Sequence, residues 1–264
     1  MTIVLIASAL YLLAAGLLVR GLAADSRGEP GRGWLLSASG ALALHAIAHV
    51  MAWRTGGGAD MHFFAALSLV GLGMALLTVF VAARGRMAAL GVVVFPVAAA
   101  AVVAYGAYGR HVAEGLDWRL QLHAWCALLA YATLAVAALL AIMLWLQERA
   151  LRRREFHGWR HVLPPLTELE TLLFRTIAVG FVLLTATLLT GMLFVSDFFA
   201  QHLIHKTVLS MLSWLAFGAL LAGRWRRGWR GTTAVRWTLA AMALLVLAFF
   251  GSKFVLELVL HRPA

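Results

Sequence analysis

The chain has 264 residues, of which 63% are hydrophobic and 12% charged, and its mean hydropathy is +0.89. Soluble domains contain about 45–50% apolar and about 25% charged residues, so this composition excludes an ordinary water-soluble globule. The single cysteine, Cys126, excludes a disulfide framework and any CxxC chemistry. The formal net charge of +11 would indicate nucleic acid binding in a soluble chain. Whether this interpretation applies here depends on where the charges lie along the sequence.

Eight apolar stretches are each long enough to cross a bilayer, which takes about 20 residues. They cover approximately residues 2–23, 34–52, 62–83, 87–108, 120–147, 172–195, 203–222 and 235–258. We therefore predict an all-α fold, a polytopic bundle of about eight transmembrane helices that forms one integral-membrane domain over residues 1–264. No basic segment precedes the first stretch, which favours a retained span with its N-terminus outside over a signal peptide.

Basic residues are concentrated in the loops that this topology places inside, after spans one, three, five and seven. These loops hold fifteen of the 22 basic residues: Arg20, Arg27, Arg32, Arg84, Arg86, Arg149, Arg152, Arg153, Arg154, Arg160, Arg224, Arg226, Arg227, Arg230 and Arg236. The acidic residues divide almost evenly between the two sides, so the bias is the positive-inside pattern of membrane proteins. It predicts a multi-pass protein of the bacterial inner membrane with both termini on the periplasmic side. It also explains the net charge by contact with membrane lipid, without nucleic acid.

Histidines show the opposite bias. Eight of the ten lie on the predicted outer side: His45, His49, His62, His111, His123, His202, His205 and His261. Only His157 and His161 lie in an inner loop. Neutral imidazole is a strong ligand for haem iron and transition metals. Three different spans offer one histidine at similar depth, which predicts a shared haem or metal site formed by His45, His123 and His205, unless each is a helix cap or an interhelical hydrogen bonder.

The only lysines, Lys206 and Lys253, lie in the outer parts of the last two spans. They could provide a positive field for an acidic ligand such as the haem propionates, or they could extend to the lipid headgroups. Lys253 and Glu257 are spaced i, i+4 and can pair on one helical face. The sequence contains no nucleotide loop, HExxH helix, GxSxG elbow or paired carboxylates, so we predict no enzymatic activity.

Spans five to eight carry an ordered series of motifs. The series begins with Leu122-His123-Ala124-Trp125 and Tyr131, and continues through Glu170-Thr171-Leu172-Leu173-Phe174-Arg175-Thr176-Ile177, Gly180-Phe181 and Leu189-Thr190-Gly191. It ends with His205-Lys206-Thr207, Trp214, Gly228-Trp229-Arg230-Gly231 and Phe250-Gly251. About half of the chain is covered by this series, which resembles the cytochrome c assembly protein family that includes the CcsA and CcmC haem-handling proteins.

The resemblance implies an association with haem, for which haem b is the expected form, and a role in cytochrome c assembly or haem trafficking beside other assembly proteins. It carries His123 over as the outer-side histidine of the family. His205 is the second candidate ligand because it precedes the retained Lys206, and His45 is the third because of its depth. The family's tryptophan-rich loop with a Trp-Asp-Pro-Lys core is absent, since residues 198–206 read FFAQHLIHK. The chain therefore resembles the smaller HemX/YpjD-type branch.

Two other functions remain open at the level of sequence. Three histidines with an open position suit zinc, copper or nickel, so the chain could be a transporter or receptor for a divalent transition metal. It could also be a regulatory or scaffold subunit without a ligand. An optical spectrum of the purified protein would separate these possibilities from haem binding.

Overall fold

The computed structural model describes residues 1–24, 31–56, 60–82, 88–108, 117–153, 165–194, 201–251 and 254. These residues form α1 (Thr2–Ala24), α2 (Gly33–Gly56), α3 (Phe63–Ala82), α4 (Ala89–Tyr108), α5 (Trp118–Arg152), α6 (Leu166–Phe194), α7 (Gln201–Arg227) and α8 (Gly231–Val246), and α8 continues into a π-helical segment, Leu247–Gly251. Among these described residues, eight helices are long and apolar enough to cross a membrane. The predicted all-α transmembrane fold is therefore confirmed.

Three helices extend well beyond the apolar stretches from which they were predicted. The sequence places span five at residues 120–147, span six at 172–195 and span seven at 203–222. In the structure α5 runs through Arg152, α6 begins at Leu166 and α7 runs through Arg227. Most of the added residues are polar or charged, such as Glu148 and Glu168. Hydrophobicity reports only the part of a helix that lies in hydrocarbon, so it does not detect turns that continue into the interface.

The chain divides into two compact units, which we describe separately. Unit 1 comprises Met1–Leu116 with Arg149–Glu168, and unit 2 comprises Asp117–Glu148 with Leu169–Ala264. The sequence-based grouping of all 264 residues into one integral-membrane domain stays a prediction.

Unit 1 contains α1 to α4. Helix α1 packs against α2 and α4, and α3 packs mainly against α4. Small residues allow a close approach, since a Cβ added to Gly71 of α3 would lie 3.3 Å from the Cβ of Ala101 in α4. The core also holds completely buried aromatic and aliphatic side chains, including Tyr11, Leu18 and Phe95. Packing of small residues is the usual driving force between helices in lipid.

Unit 2 contains most of α5 and α6 together with α7 and α8. Gly180 of α6 faces Leu134 of α5, and a Cβ at this glycine would lie 2.5 Å from the Leu134 Cδ2 atom. Trp214 of α7 donates a hydrogen bond from Nε1 to Thr185 Oγ1 of α6 at 2.9 Å. Helix α7 also packs against α8 and the π-helical segment. The start of α5 and the end of α6 lie beside each other, since the Nδ1 atom of His123 is 3.2 Å from the Oγ1 atom of Thr190.

Candidate haem-binding site

His123 lies in the second turn of α5, where it is half-buried beside α6. Its Nδ1 atom is 3.2 Å from the Oγ1 atom of Thr190, near the end of α6. The backbone carbonyl of Thr187, one turn earlier in α6, also hydrogen-bonds to the imidazole. The protein therefore holds the ring of His123 through two oxygen atoms of α6.

The hydroxyl group of Thr190 determines which nitrogen of His123 carries the proton. This hydroxyl has one hydrogen, which it donates to the backbone carbonyl of Ala186 at 2.8 Å or to that of Thr187 at 3.0 Å. The Thr190 oxygen must then accept from His123, so the imidazole carries its proton on Nδ1. The Nε2 atom of neutral His123 consequently bears the lone pair that a metal ion requires.

His205 and Lys206 lie at the start of α7. The His205 side chain is exposed, and Lys206 is half-buried. His202 belongs to the same helix, but its side chain lies outside the described part of the structure, as do His111, His157, His161, His261 and Lys253. The start of α7 and the start of α5 both belong to unit 2.

His45 lies in unit 1, where its side chain is completely buried. Its Nδ1 atom is 3.2 Å from the hydroxyl oxygen of Tyr11, and its Nε2 atom is 2.8 Å from the Oγ atom of Ser68. His49, one turn further along α2, stacks on His45 with ring centroids 5.4 Å apart. The predicted common face of the two histidines is thus present, but both nitrogens of His45 are already engaged in hydrogen bonds.

The three candidate histidines are divided between the units: His45 lies in unit 1, and His123 and His205 in unit 2. Within the described ranges, no group of three or more His, Cys, Asp or Glu side chains is close enough together to hold a metal ion. A site shared by all three histidines stays a prediction.

Sequence reasoning did not find the ion pair that joins α6 to the start of α8. The side chain of Glu170 is 4% exposed. Its Oε2 atom accepts a hydrogen bond from Arg230 Nε at 3.0 Å and lies 2.9 Å from Nη2 of the same guanidinium. Its Oε1 atom accepts from the backbone N–H of Gly231 at 3.0 Å. The signal that could have indicated this contact is Glu170 itself, an acidic residue just before the apolar stretch of span six in a sequence rich in arginine.

The π-helical segment after α8 is held by Tyr131, one of the residues that carry the family resemblance. The Tyr131 hydroxyl donates to the Leu245 carbonyl, and its ring packs between the rings of Phe249 and Phe250. Short π-helical segments occur frequently at functional sites. Tyr131, which the sequence identifies only as part of a motif, therefore has a structural role in holding this segment.

Comparison with known proteins extends the resemblance over nearly the whole chain. The sequence model of the family described as Cytochrome C assembly protein matches residues 34–260. The chain is 32% identical to the inner membrane protein YpjD of Escherichia coli K12 over 265 residues, which cover 97% of this chain and 98% of the relative.

Two further relatives match over shorter segments. An uncharacterized 28.8 kDa protein of Azospirillum brasilense is 36% identical over 143 residues, or 53% of each chain. The cytochrome c biogenesis protein CcsA of Prochlorococcus marinus MIT 9515 is 33% identical over 89 residues, or 33% of this chain and 28% of the relative. No solved structure matches the chain. The match over residues 34–260 and the similarity to YpjD along the full length lead to one conclusion: the chain belongs to the cytochrome c assembly protein family.

Proposed function

We propose that this member of the cytochrome c assembly family binds haem through His123 and serves in haem trafficking during cytochrome c biogenesis. A role in cytochrome c biogenesis is supported by the family match and by the similarity to CcsA. The finer proposal of haem binding depends on the surroundings of one histidine.

The orientation of the His123 imidazole carries the proposal. Histidines that bind a metal almost always donate their other ring N–H to an oxygen acceptor, which fixes the tautomer and the ring plane. The Nδ1–H of His123 has such an acceptor in Thr190 Oγ1, and Nε2 is left with its lone pair.

The remaining ligands are proposed from the sequence and from the placement of α7. His205 is the second candidate ligand, His45 is the third, and Lys206 is the candidate partner for a propionate. Haem b would supply an iron centre, and two imidazole ligands would suit a carrier rather than an oxygen-activating site. The chain's own part is to hold and orient the ligand, so we propose no catalytic activity.

The membrane setting agrees with this role. The eight apolar helices and the similarity to an inner membrane protein support a multi-pass protein of the inner membrane. We propose that both termini face the periplasm, which places His123 at the outer end of α5. The proposed partners are membrane lipid, haem and other cytochrome c assembly proteins.

The decisive experiment is an optical spectrum of the purified full-length protein, as isolated and after addition of haem. We expect a Soret band and split visible bands in the wild type, and loss of most of the bound haem in His123→Ala. His157→Ala and His161→Ala serve as controls that should retain haem, because both lie in the predicted inner loop. Metal content without haem would instead favour the divalent metal function, and equal loss in His157→Ala would contradict the proposed site.

A further inference from the structure

Unit 1 contains a series of four hydrogen-bonded polar side chains, of which only His45, the third candidate haem ligand, also belongs to the proposed haem site. Tyr11 of α1 contacts His45 of α2, His45 contacts Ser68 of α3, and Ser68 contacts His49 of α2, with distances of 3.2, 2.8 and 2.9 Å. Tyr11, His45 and Ser68 are completely buried. Polar groups inside membrane helices are costly to bury and usually mark a functional site.

The hydroxyl hydrogen of Tyr11 sets the direction of every hydrogen bond in this series of four side chains. Its one hydrogen-bond partner among the described residues is His45 Nδ1, and a buried hydroxyl hydrogen requires an acceptor. Tyr11 therefore donates to Nδ1, and His45 carries its proton on Nε2 and donates to Ser68. The Ser68 hydroxyl then donates its only hydrogen to Nε2 of His49, so neutral His49 carries its proton on Nδ1.

The series of hydrogen bonds ends at Tyr11. It therefore suits orientation of His49 rather than proton conduction. The Tyr11 ring stacks on the completely buried ring of Phe95, with centroids 6.0 Å apart, and the hydroxyl has no second hydrogen-bond partner among the described residues. A path for protons would need a connection at both ends. The three buried groups instead act as successive positioning residues that hold one tautomer of His49.

His49 is also held by ring packing. Its ring lies between those of His45 and Tyr105, with centroid distances of 5.4 and 4.4 Å and interplanar angles of 26° and 14°. The ring is half-buried, and its Nδ1–H has no acceptor among the described residues. Two stacked rings and one hydrogen bond thus fix a donor that no described residue satisfies.

The surroundings restrict the ligand to an uncharged one. Within the described residues of α1 to α4, the charged residues are Arg20 and Arg54, which lie towards the ends of α1 and α2. A carboxylate at the depth of His49 would be buried without a charged partner, which is costly. A carbonyl oxygen accepts the same hydrogen bond without that cost.

We propose that His49 presents its Nδ1–H to the carbonyl oxygen of an uncharged, lipid-soluble ligand. Two sources carry this group at membrane depth, the ester carbonyl of a phospholipid and the head group of a quinone. The proposal does not depend on haem binding by His123, because it follows from the geometry of hydrogen bonds among residues of unit 1.

The test uses ¹⁵N-histidine labelling of the full-length protein in lipid nanodiscs. The signals lost in His49→Gln identify the His49 ring, and we expect its Nδ1 to be the protonated nitrogen. If the source is a phospholipid, the Nδ1 signal shifts when ester-linked phosphatidylcholine is replaced by its ether-linked analogue. If the source is a quinone, it shifts on titration with a short-chain ubiquinone, and His49→Gln weakens quinone binding about tenfold, the effect of one hydrogen bond.

Two tyrosine variants provide the control. Tyr11→Phe removes the donor that sets the direction, so His49 should become a mixture of both tautomers, whereas Tyr108→Phe, at an exposed tyrosine of α4, should leave the Nδ1 tautomer unchanged. A wild-type His49 protonated on Nε2 overturns the proposal. So does an Nδ1 signal that responds to neither the lipid exchange nor the quinone, or a tautomer that is unaffected in Tyr11→Phe.

Discussion

At the scale of single residues, the contrast between His123 and His45 is the most informative. Both were predicted as ligands from depth and sequence context. His45 has both ring nitrogens in hydrogen bonds to the side chains of Tyr11 and Ser68, whereas the one side-chain partner of His123 among the described residues is Thr190, which contacts Nδ1. Iron ligation by His45 would require one of these bonds to break, and His123 can offer Nε2 without any rearrangement. The structure therefore favours His123 as the first ligand to test.

Thr190 should act as the positioning residue of His123. We expect Thr190→Val to weaken haem binding about 10- to 100-fold, because loss of the partner of a metal-binding histidine has effects of this size. It should also shift the reduction potential of the bound haem, which a purely structural role would not do. Thr190→Ser keeps the hydroxyl and should restore both values.

Thr187→Val is the matched control, since the Thr187 hydroxyl donates only to the Leu183 carbonyl of its own helix. Haem titration and redox potentiometry on the three variants give the comparison. An identical loss in Thr187→Val and Thr190→Val would mean that the effect comes from packing of α6 and not from the tautomer of His123.

Lys206 tests whether a propionate is compensated at the start of α7. A buried carboxylate needs a partner, so Lys206→Gln should lower haem occupancy while the absorption maxima stay in place. Lys253→Gln should have a smaller effect, because Glu257 can already pair with that lysine. A shift of the ligand-sensitive bands at full occupancy would indicate that Lys206 positions His205. No change in either variant would place both lysines at the headgroups.

At the scale of elements, the start of α8 depends on a side chain from α6. Gly231 is the first residue of α8, with a positive φ of 54°, and its N–H is satisfied by Glu170. The preceding residue, Arg230, makes no side-chain cap of its own. The sequence predicted span eight from residue 235, because the turn that Glu170 stabilises contains no apolar signal.

Glu170→Ala should therefore destabilise unit 2. It removes hydrogen bonds to a guanidinium and a backbone N–H, and we expect a loss of about 2–3 kcal/mol in unfolding free energy, given that hydrogen bonds to charged groups contribute about 1.5–3 kcal/mol. Thermal unfolding in detergent, followed by circular dichroism, measures the change. Glu168→Gln is the matched control at an exposed position two residues away, with an expected cost below about 1 kcal/mol. Equal effects of the two changes would argue against the cap.

At the scale of the whole molecule, the orientation in the membrane decides which end of unit 2 faces the site of cytochrome c assembly. The arginine bias predicts that reporter fusions after residues 85, 155 and 228 are cytoplasmic. Fusions after residues 57, 114 and 264 should be periplasmic. Alkaline phosphatase and fluorescent protein reporters distinguish the two sides. A periplasmic signal at residue 155 would reverse the topology and place His123 at the cytoplasmic end.

The sequence by itself determined the class of fold and the number of spans. Transfer of apolar side chains to hydrocarbon is a local property of each stretch of about 20 residues, so composition and length suffice to find it. The family was also readable from the ordered motifs of spans five to eight, and comparison with known proteins confirmed it.

Only the tertiary structure decided which polar groups are already satisfied. His45 and His123 look equivalent in sequence, but their partners Ser68 and Thr190 come from other helices, 23 and 67 residues away. Glu170 likewise reaches across 61 residues to the N–H of Gly231. Hydrogen bonds are short and directional, so their donors and acceptors are defined only when helices pack, whereas hydrophobic length is defined by each helix alone.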